Sequence, residues 1–216
     1  MKRTFILISL IQLHAFSTAA QKLHSPKIDS YAVPDELHIQ IVKAEDARDP
    51  APVLAMLTSE NSATRYRAAL AAGRIGDDKA LPSLTALLSD KVVEVQAMAA
   101  FAIGEVESAK AADAILKVLN EPDAQNQVRA RAVEAAGKIA AANPRDAKTK
   151  ELGEAIVNTL KTEDALGAKQ DREVILMAVT AALRARPAGA DVAVAKFLTS
   201  TDARIRGDAG NTLSRL

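Results

Sequence analysis

One segment of the chain recurs five times, and this repetition constrains the fold more than any other feature. Residues 64–75 read TRYRAALAAGRI, and related segments occupy residues 95–106, 128–139, 174–185 and 205–216. When these segments are aligned, one column contains Gly73, Gly104, Gly137, Leu183 and Ser214. The steps along that column are 31, 33, 46 and 31 residues. Self-similarity at a period of roughly 20–50 residues indicates a repeat architecture.

Each recurring segment follows a second apolar segment with helical spacing. In these earlier segments apolar residues recur every three or four positions, which places them on one helix face. They include Leu81 to Leu88 and Ile156 to Leu160. Alanine, the best helix former, accounts for 45 of the 216 residues. The sequence therefore predicts an all-α fold, an α-α superhelix of about five helix pairs preceded by an N-terminal helix.

Start and stop signals place the boundaries of these units. Pro34 suits the first turn of a helix, and Asp171 and Asp202 each stand three residues before an apolar helical residue, where an N-cap belongs. The step of 46 residues is attributed to a longer polar loop between Lys161 and Asp171. We predict an opening helix at 34–49 and repeats at about 51–77, 78–108, 109–143, 146–186 and 187–216, which together form one solenoid over residues 34–216.

The first twenty residues have the pattern of a secretory signal peptide. A basic start at Lys2-Arg3 precedes a mostly apolar run and a small-residue patch at Ser17–Ala20. The apolar run is shorter than the roughly 20 residues of a membrane span. We therefore expect residues 1–20 to be a signal peptide and 21–33 a linker. Export to the periplasm or the extracellular space follows, with no membrane span in the mature chain.

Composition argues against most catalytic chemistry. The chain has no cysteine, and its three histidines, His14, His24 and His38, all precede the repeats. A Ser-His-Asp triad, a cysteine nucleophile and a transition-metal site on the repeats are excluded on that basis. We expect no enzyme activity, no catalytic residues, no metal and no cofactor. With 28 basic and 27 acidic residues, a nucleic-acid partner is not expected either.

The repeats resemble HEAT repeats of the short, alanine-rich kind called PBS-lyase HEAT-like repeats. The resemblance is carried by AGRIGD at 72–77, AIGEV at 102–106 and AGKI at 136–139, and it covers residues 51–216. It implies a HEAT-type solenoid used as a scaffold for a protein or peptide partner. Relatives with other activities fit less well. The His-Glu pairs of the di-iron hydroxylases are absent, the phycobilin lyases act on a cytoplasmic protein, and the DNA glycosylases need a basic aromatic face.

A second resemblance concerns what accompanies the repeats. Residues 97–108, 171–176 and 202–216 are similar to the N-terminal half of secreted bacterial HEAT-repeat proteins, in which a cyclophilin-type peptidyl-prolyl isomerase domain commonly follows. The alternative to a plain scaffold is therefore the scaffold half of an exported isomerase whose catalytic domain lies outside this sequence. The last repeat has no polar capping helix after it, which makes self-association through that end a further expectation.

Two sets of residues are singled out on the second helices. In a column where the family usually has glutamate, Leu70 and Phe101 are apolar, and Tyr66 and Ala97 stand four residues before them on the same helix faces. These four residues are predicted to form a partner-binding patch, and the alternative is that they pack between neighbouring helices. The second set is an arginine column, expected to pair with acids in the turns as a structural ladder: Arg65, Arg129 and Arg206.

Overall fold

The computed structural model describes residues 33–216, and this range contains eleven α-helices and no β-strand. The predicted signal peptide and all of the predicted linker except Val33 lie outside the described residues. In chain order the helices are α1 (Asp35–Ala47), α2 (Ala51–Met56), α3 (Ser62–Ile75), α4 (Leu81–Leu87), α5 (Val93–Val106), α6 (Ala112–Asn120), α7 (Asn126–Ala142), α8 (Lys148–Leu166), α9 (Arg172–Ala185), α10 (Ala190–Ala195) and α11 (Ala203–Leu213).

Helices α2 to α11 form five consecutive pairs, and α1 packs against the first pair. The second helices of the pairs, α3, α5, α7, α9 and α11, contact one another in chain order, and each first helix packs against its own partner. The predicted all-α solenoid of helix pairs with an opening helix is confirmed. Since every pair contacts only its neighbours, each buries its apolar face by stacking.

The core is a continuous layer of aliphatic side chains between first and second helices. Leu84 of α4, Ile103 of α5, Ile115 of α6 and Ile139 of α7 are each fully buried. Burial of one such side chain stabilises the fold by about 1.5–3 kcal/mol. Few aromatic side chains are needed, because alanine fills the narrow spaces where the second helices approach each other.

The recurring glycines allow that approach. A Cβ atom built on Gly73 would lie 2.8 Å from Cα of Ala102, one on Gly104 would lie 2.8 Å from Cα of Ala135, and one on Gly137 would lie 2.6 Å from Cα of Ala181. Each obstacle is the backbone of the next second helix, so the glycine column is a helix-contact column. Leu183 holds this position in α9, and accordingly α9 shares less contact with α11 than the earlier second helices share with each other.

Local signals fix several helix ends as the sequence predicts. The Asp171 side chain accepts hydrogen bonds from two amides at the start of α9, and Asp202 does the same for α11. Gly76 ends α3 in the left-handed conformation with φ of 75°, which glycine adopts without steric cost. Pro34 lies one residue before α1 begins.

The prediction of a polar loop from Lys161 to Asp171 is wrong. Helix α8 continues to Leu166 and is 19 residues long, and only a short 3-10 turn separates it from α9. Lysine and glutamate are good helix formers, and Glu163 turns inward and is buried, so this polar stretch continues the helix. Even with α8 included, residues 33–216 contain no helix long and apolar enough to cross a membrane.

Candidate protein-binding site

The four residues of the predicted patch lie together at one surface depression of the second helices. Tyr66 and Leu70 of α3 and Ala97 and Phe101 of α5 line one depression of about 250 Å³. Tyr66, Leu70 and Phe101 are half-buried, so each keeps some exposed surface, while Tyr66 also packs against the core. Ala97 is only 4 % exposed and offers a partner little surface. We call this depression the aromatic depression.

Four further residues complete its lining. Glu94 and Met98 come from α5, and Gln127 and Arg131 come from α7. The depression therefore spans three consecutive repeats, which are held at short distance by the glycine contacts between α3, α5 and α7. None of these four positions was identified from the sequence, because none departs from the polar or apolar character expected on a helix surface.

Two cations fix the Phe101 ring. The Lys138 ammonium lies 4.6 Å from the ring centre and the Arg131 guanidinium lies 5.8 Å from it. Both distances are within the range of cation–π attraction, which contributes about 0.5–1 kcal/mol at exposed sites and more where water is excluded. Phe101 is therefore a positioned aromatic side chain rather than a freely rotating one.

These cations belong to an ionic network along α5, α7 and α9. Lys138 is 2.5 Å from Glu105 and 2.7 Å from Glu134, and Arg131 is 2.8 Å from Glu134 and 3.8 Å from Glu173. Burial raises the pKa of the Glu134 carboxyl, but the hydrogen bonds from Lys138 and Arg131 outweigh it and hold the pKa below its ordinary value. The network keeps both cations beside Phe101.

Ion pairs between α1 and α3 stabilise the α3 side of the depression. Glu45 lies 2.7 Å from Arg67 and 3.2 Å from Arg74. The Arg67 hydrogen bond is the main reason that the pKa of Glu45 lies below its ordinary value. This carboxylate is half-buried and ties α1 to α3, so it is not a solvated charge at the end of the opening helix.

Glu94 differs from these paired acids. Its Oε2 atom is buried and has no hydrogen-bond partner among the described residues. Leaving a buried acceptor unpaired costs on the order of 1–3 kcal/mol, and more when the group is charged. Such a group beside a surface depression is a candidate for recognition of a donor from outside the chain.

The arginine column has a shared contact that differs from the predicted one. Arg65, Arg129 and Arg206 each donate to two backbone carbonyls in the turn that precedes their own helix. In the described chain only Arg65 also pairs with an acid, Asp90, at 2.6 Å. The column therefore fixes the turns within each repeat, and the expected acid ladder between repeats exists at one step.

Four other depressions of the described residues are larger, with volumes of about 410–470 Å³. One of about 460 Å³ lies among the ends of α4 to α7 and includes Leu88 and Val118, and another of about 470 Å³ is lined by Arg129 and Glu163. None of the four is lined by an aromatic side chain. Aromatic residues are enriched in the centres of protein interfaces, so the aromatic depression remains the stronger candidate for a protein partner.

Comparisons with known families identify two kinds of repeat. A HEAT-repeat family matches residues 42–94, and the PBS lyase HEAT-like repeat matches residues 95–121. No curated protein matches the chain.

Two solved structures with TM-scores above 0.5 have the same architecture. A designed armadillo repeat protein is 25% identical, with a TM-score of 0.56 over 82% of this chain and 86% of that one. An engineered protein is 22% identical, with a TM-score of 0.53 over 86% and 89%. The complex of CpcE and CpcF of phycocyanin lyase from Nostoc sp. is 17% identical, with a TM-score of 0.43 over 96% and 99%. The chain thus contains HEAT and PBS-lyase HEAT-like repeats and folds as an armadillo/HEAT-type helical solenoid.

Proposed function

We propose that this chain is a non-catalytic scaffold that binds a protein or peptide partner at the surface depression on its second helices. The observation that carries the proposal is the aromatic depression, where half-buried Tyr66, Leu70 and Phe101 lie side by side across consecutive repeats. Apolar side chains grouped at a surface depression and rimmed by charged residues are typical of partner sites. HEAT-type repeats supply an extended surface for such contacts.

The central prediction concerns Phe101→Glu. A carboxylate at this position would place a charge, beside Lys138 and Arg131, where a partner must bury apolar surface. It would also remove the main apolar contact. Loss of such an anchor costs at least about 1–2 kcal/mol, which is a five- to thirtyfold loss of affinity. We expect partners captured by the chain lacking residues 1–20 to be lost with this variant, as measured by pull-down and quantitative mass spectrometry.

Two matched controls locate the effect. Val192→Glu places the same charge on an apolar side chain of α10 that is 65% exposed, and Leu88→Glu places it in a larger depression. Circular dichroism verifies that each variant is folded. Partners lost only with Phe101→Glu support the proposal. Partners retained by Phe101→Glu and lost with Leu88→Glu would move the binding site to the other depression.

Export is proposed as well, supported by the sequence pattern of residues 1–20. Expression of the full chain with its native start, followed by intact-mass measurement of the protein in each cell fraction, tests it. We expect a product shortened by 19 or 20 residues outside the cytoplasm. A full-length product confined to the cytoplasm contradicts export.

The alternative function, the scaffold half of an exported peptidyl-prolyl isomerase, is supported by the resemblance of residues 97–108, 171–176 and 202–216 to such proteins. In that case any isomerase activity belongs to a domain outside this sequence. Reading the coding sequence beyond Leu216 separates the two functions, since a stop codon at that point contradicts the isomerase alternative. Self-association through the last repeat is a further proposal, and light scattering over a range of concentrations measures it.

A further inference from the structure

The Glu94 carboxylate has unused capacity to accept hydrogen bonds. Its Oε2 atom is buried without a hydrogen-bond partner, although the residue lines the aromatic depression. In folded proteins the large majority of buried polar atoms are satisfied, and each exception needs an explanation. A partner's donor could form the missing hydrogen bond if the Glu94 side chain turned so that Oε2 faced the depression.

No cation of the described chain supplies that donor. Arg131 lines the same depression, but Glu134 and Glu173 on the α7 and α9 side hold its guanidinium, and its Nη1 also contacts the Met177 sulfur at 3.9 Å. Lys138 is held by two carboxylates of its own. Both cations next to the depression are therefore paired with other carboxylates, and neither forms an ion pair with Glu94.

Charge favours a cationic partner on this side of the depression. The network along α5, α7 and α9 contains two cations, Arg131 and Lys138, and three carboxylates. With Glu94 added, these six groups carry a net charge of −2, and Glu45, Arg67 and Arg74 on the α3 side carry +1, so the charges around the depression sum to −1. A lysine or arginine side chain arriving at Glu94 would meet a complementary field, whereas an acidic side chain would be repelled.

The shape of the depression favours a peptide side chain over a small-molecule ligand. Its volume of about 250 Å³ is below the roughly 300–1,000 Å³ typical of small-molecule pockets. One wall is apolar, with Tyr66, Leu70, Met98 and Phe101. Such a wall accommodates both a bulky apolar residue and the methylene stem of a lysine or arginine.

We propose, on the basis of the protein-binding function above, that the aromatic depression recognises a peptide segment in which lysine or arginine adjoins a bulky apolar residue. The apolar residue packs on Tyr66, Leu70 and Phe101. A rotation of the Glu94 side chain turns Oε2, which is buried in the free protein, toward the depression, and the cationic group then donates to the carboxylate. The partner is thus a basic, apolar segment of another protein, and Glu94 is the residue that selects its charge.

Fluorescence anisotropy with defined peptides tests this specificity. The probe is a fluorescein-labelled twelve-residue Gly/Ser peptide with two Leu-Arg pairs, and its counterpart has two Leu-Glu pairs. We expect the wild-type protein to bind the Leu-Arg peptide at least about tenfold more tightly. The variant Glu94→Gln should weaken that binding about tenfold, because it removes the charge from the hydrogen bond to the cation, and should leave Leu-Glu binding unchanged. Glu154→Gln, an equal change of charge at an exposed acid of α8, should have no effect.

The outcomes separate this inference from the proposed function. If Glu94→Gln leaves Leu-Arg affinity unchanged while Phe101→Glu still abolishes partner capture, the charge selectivity is wrong and the protein-binding function stands. If Phe101→Glu changes neither peptide binding nor partner capture, the depression is not the binding site. A synthetic peptide of residues 21–32, which has Lys22-Leu23 and Lys27-Ile28, is a second probe. Tighter binding of that peptide than of the Leu-Arg probe would identify the chain's own segment as the occupant and overturn the proposal of a separate partner.

Discussion

At the scale of single residues, Glu163 is the least expected side chain in the protein. Only 1% of its surface is exposed, and its Oε2 atom accepts a hydrogen bond of 2.7 Å from the amide of Asp171. The bond connects α8 to the start of α9. Burial is the main reason that the pKa of Glu163 lies above its ordinary value, and the Asp171 amide opposes that effect. The ionised form of Glu163 therefore destabilises the folded state.

The raised pKa gives Glu163 a defined effect on pH stability. Because the folded state holds this proton more tightly than the unfolded state, the stabilisation is present at low pH. It is lost as pH rises from the ordinary value of 4.5 through the higher folded value. Glu163→Gln retains an acceptor for the Asp171 amide and removes the charge. We expect the variant to unfold at a higher temperature than wild type at pH 7.

Calorimetry across pH checks this prediction, with Glu60→Gln at an exposed position as the control. The advantage of Glu163→Gln should shrink as pH falls toward 4.5 and disappear below it. An advantage that is constant at every pH would mean that the carboxylate charge is not its origin. A lower unfolding temperature at pH 7 would show that the charged oxygen is needed for the Asp171 contact.

At the scale of helices, the glycine column determines how closely the repeats stack. A Cβ on Gly137 would lie 2.6 Å from Cα of Ala181, which is backbone of α9 and cannot rotate away. Gly207 of α11 is also helical, but a Cβ there would meet nothing within 4 Å. A glycine-to-alanine substitution at each of the two positions therefore separates the effect of helix contact on stability from the effect of helix propensity.

We expect Gly137→Ala and Gly207→Ala to change stability in opposite directions. Alanine improves helix propensity by about 1 kcal/mol at either position. At Gly137 the overlap with α9 should more than cancel this gain and lower the free energy of unfolding by about 1–3 kcal/mol. At Gly207 the gain should remain, close to 0.5–1 kcal/mol. Urea unfolding measures both, and equal stabilisation of the two variants would refute a contact role for Gly137.

Sequence patterns predicted the elements better than the site. Helix pairs and caps depend on local signals, such as the apolar spacing around Leu84 and the N-cap at Asp202. The sequence alone therefore predicts them. The sequence predicts the patch because Leu70 and Phe101 are apolar in a column that is usually glutamate, and its role in binding stays a prediction. The unpaired Oε2 of Glu94 and the burial of Glu163 depend on which side chains meet across helices. The spacing of apolar residues along a helix does not specify these side-chain contacts between helices.

At the scale of the whole molecule, the two ends of the stack are secured differently. On the N-terminal side Glu45 of α1 pairs with two arginines of α3, and Arg48 donates to the carbonyl of Ile75 at 3.0 Å. On the C-terminal side Leu183 replaces the contact glycine. The ion pair there, Arg172 with Asp202, has an arginine side chain that is 58% exposed, and exposed pairs contribute little.

This asymmetry predicts that the 216-residue chain opens from its C-terminal side. In a stack where each pair contacts only its neighbours, the pair with the weakest interface unfolds at the lowest free energy. We expect amides of α10 and α11 to exchange with solvent before those of α5 and α7 in native-state hydrogen exchange. Asp202→Ala removes the N-cap of α11, a loss of about 1 kcal/mol, so exchange in α11 should become about fivefold faster. Exchange in α5 should not change, because its neighbours are untouched. If exchange accelerates equally in both helices, the solenoid opens as one cooperative unit and its two ends are equally secure.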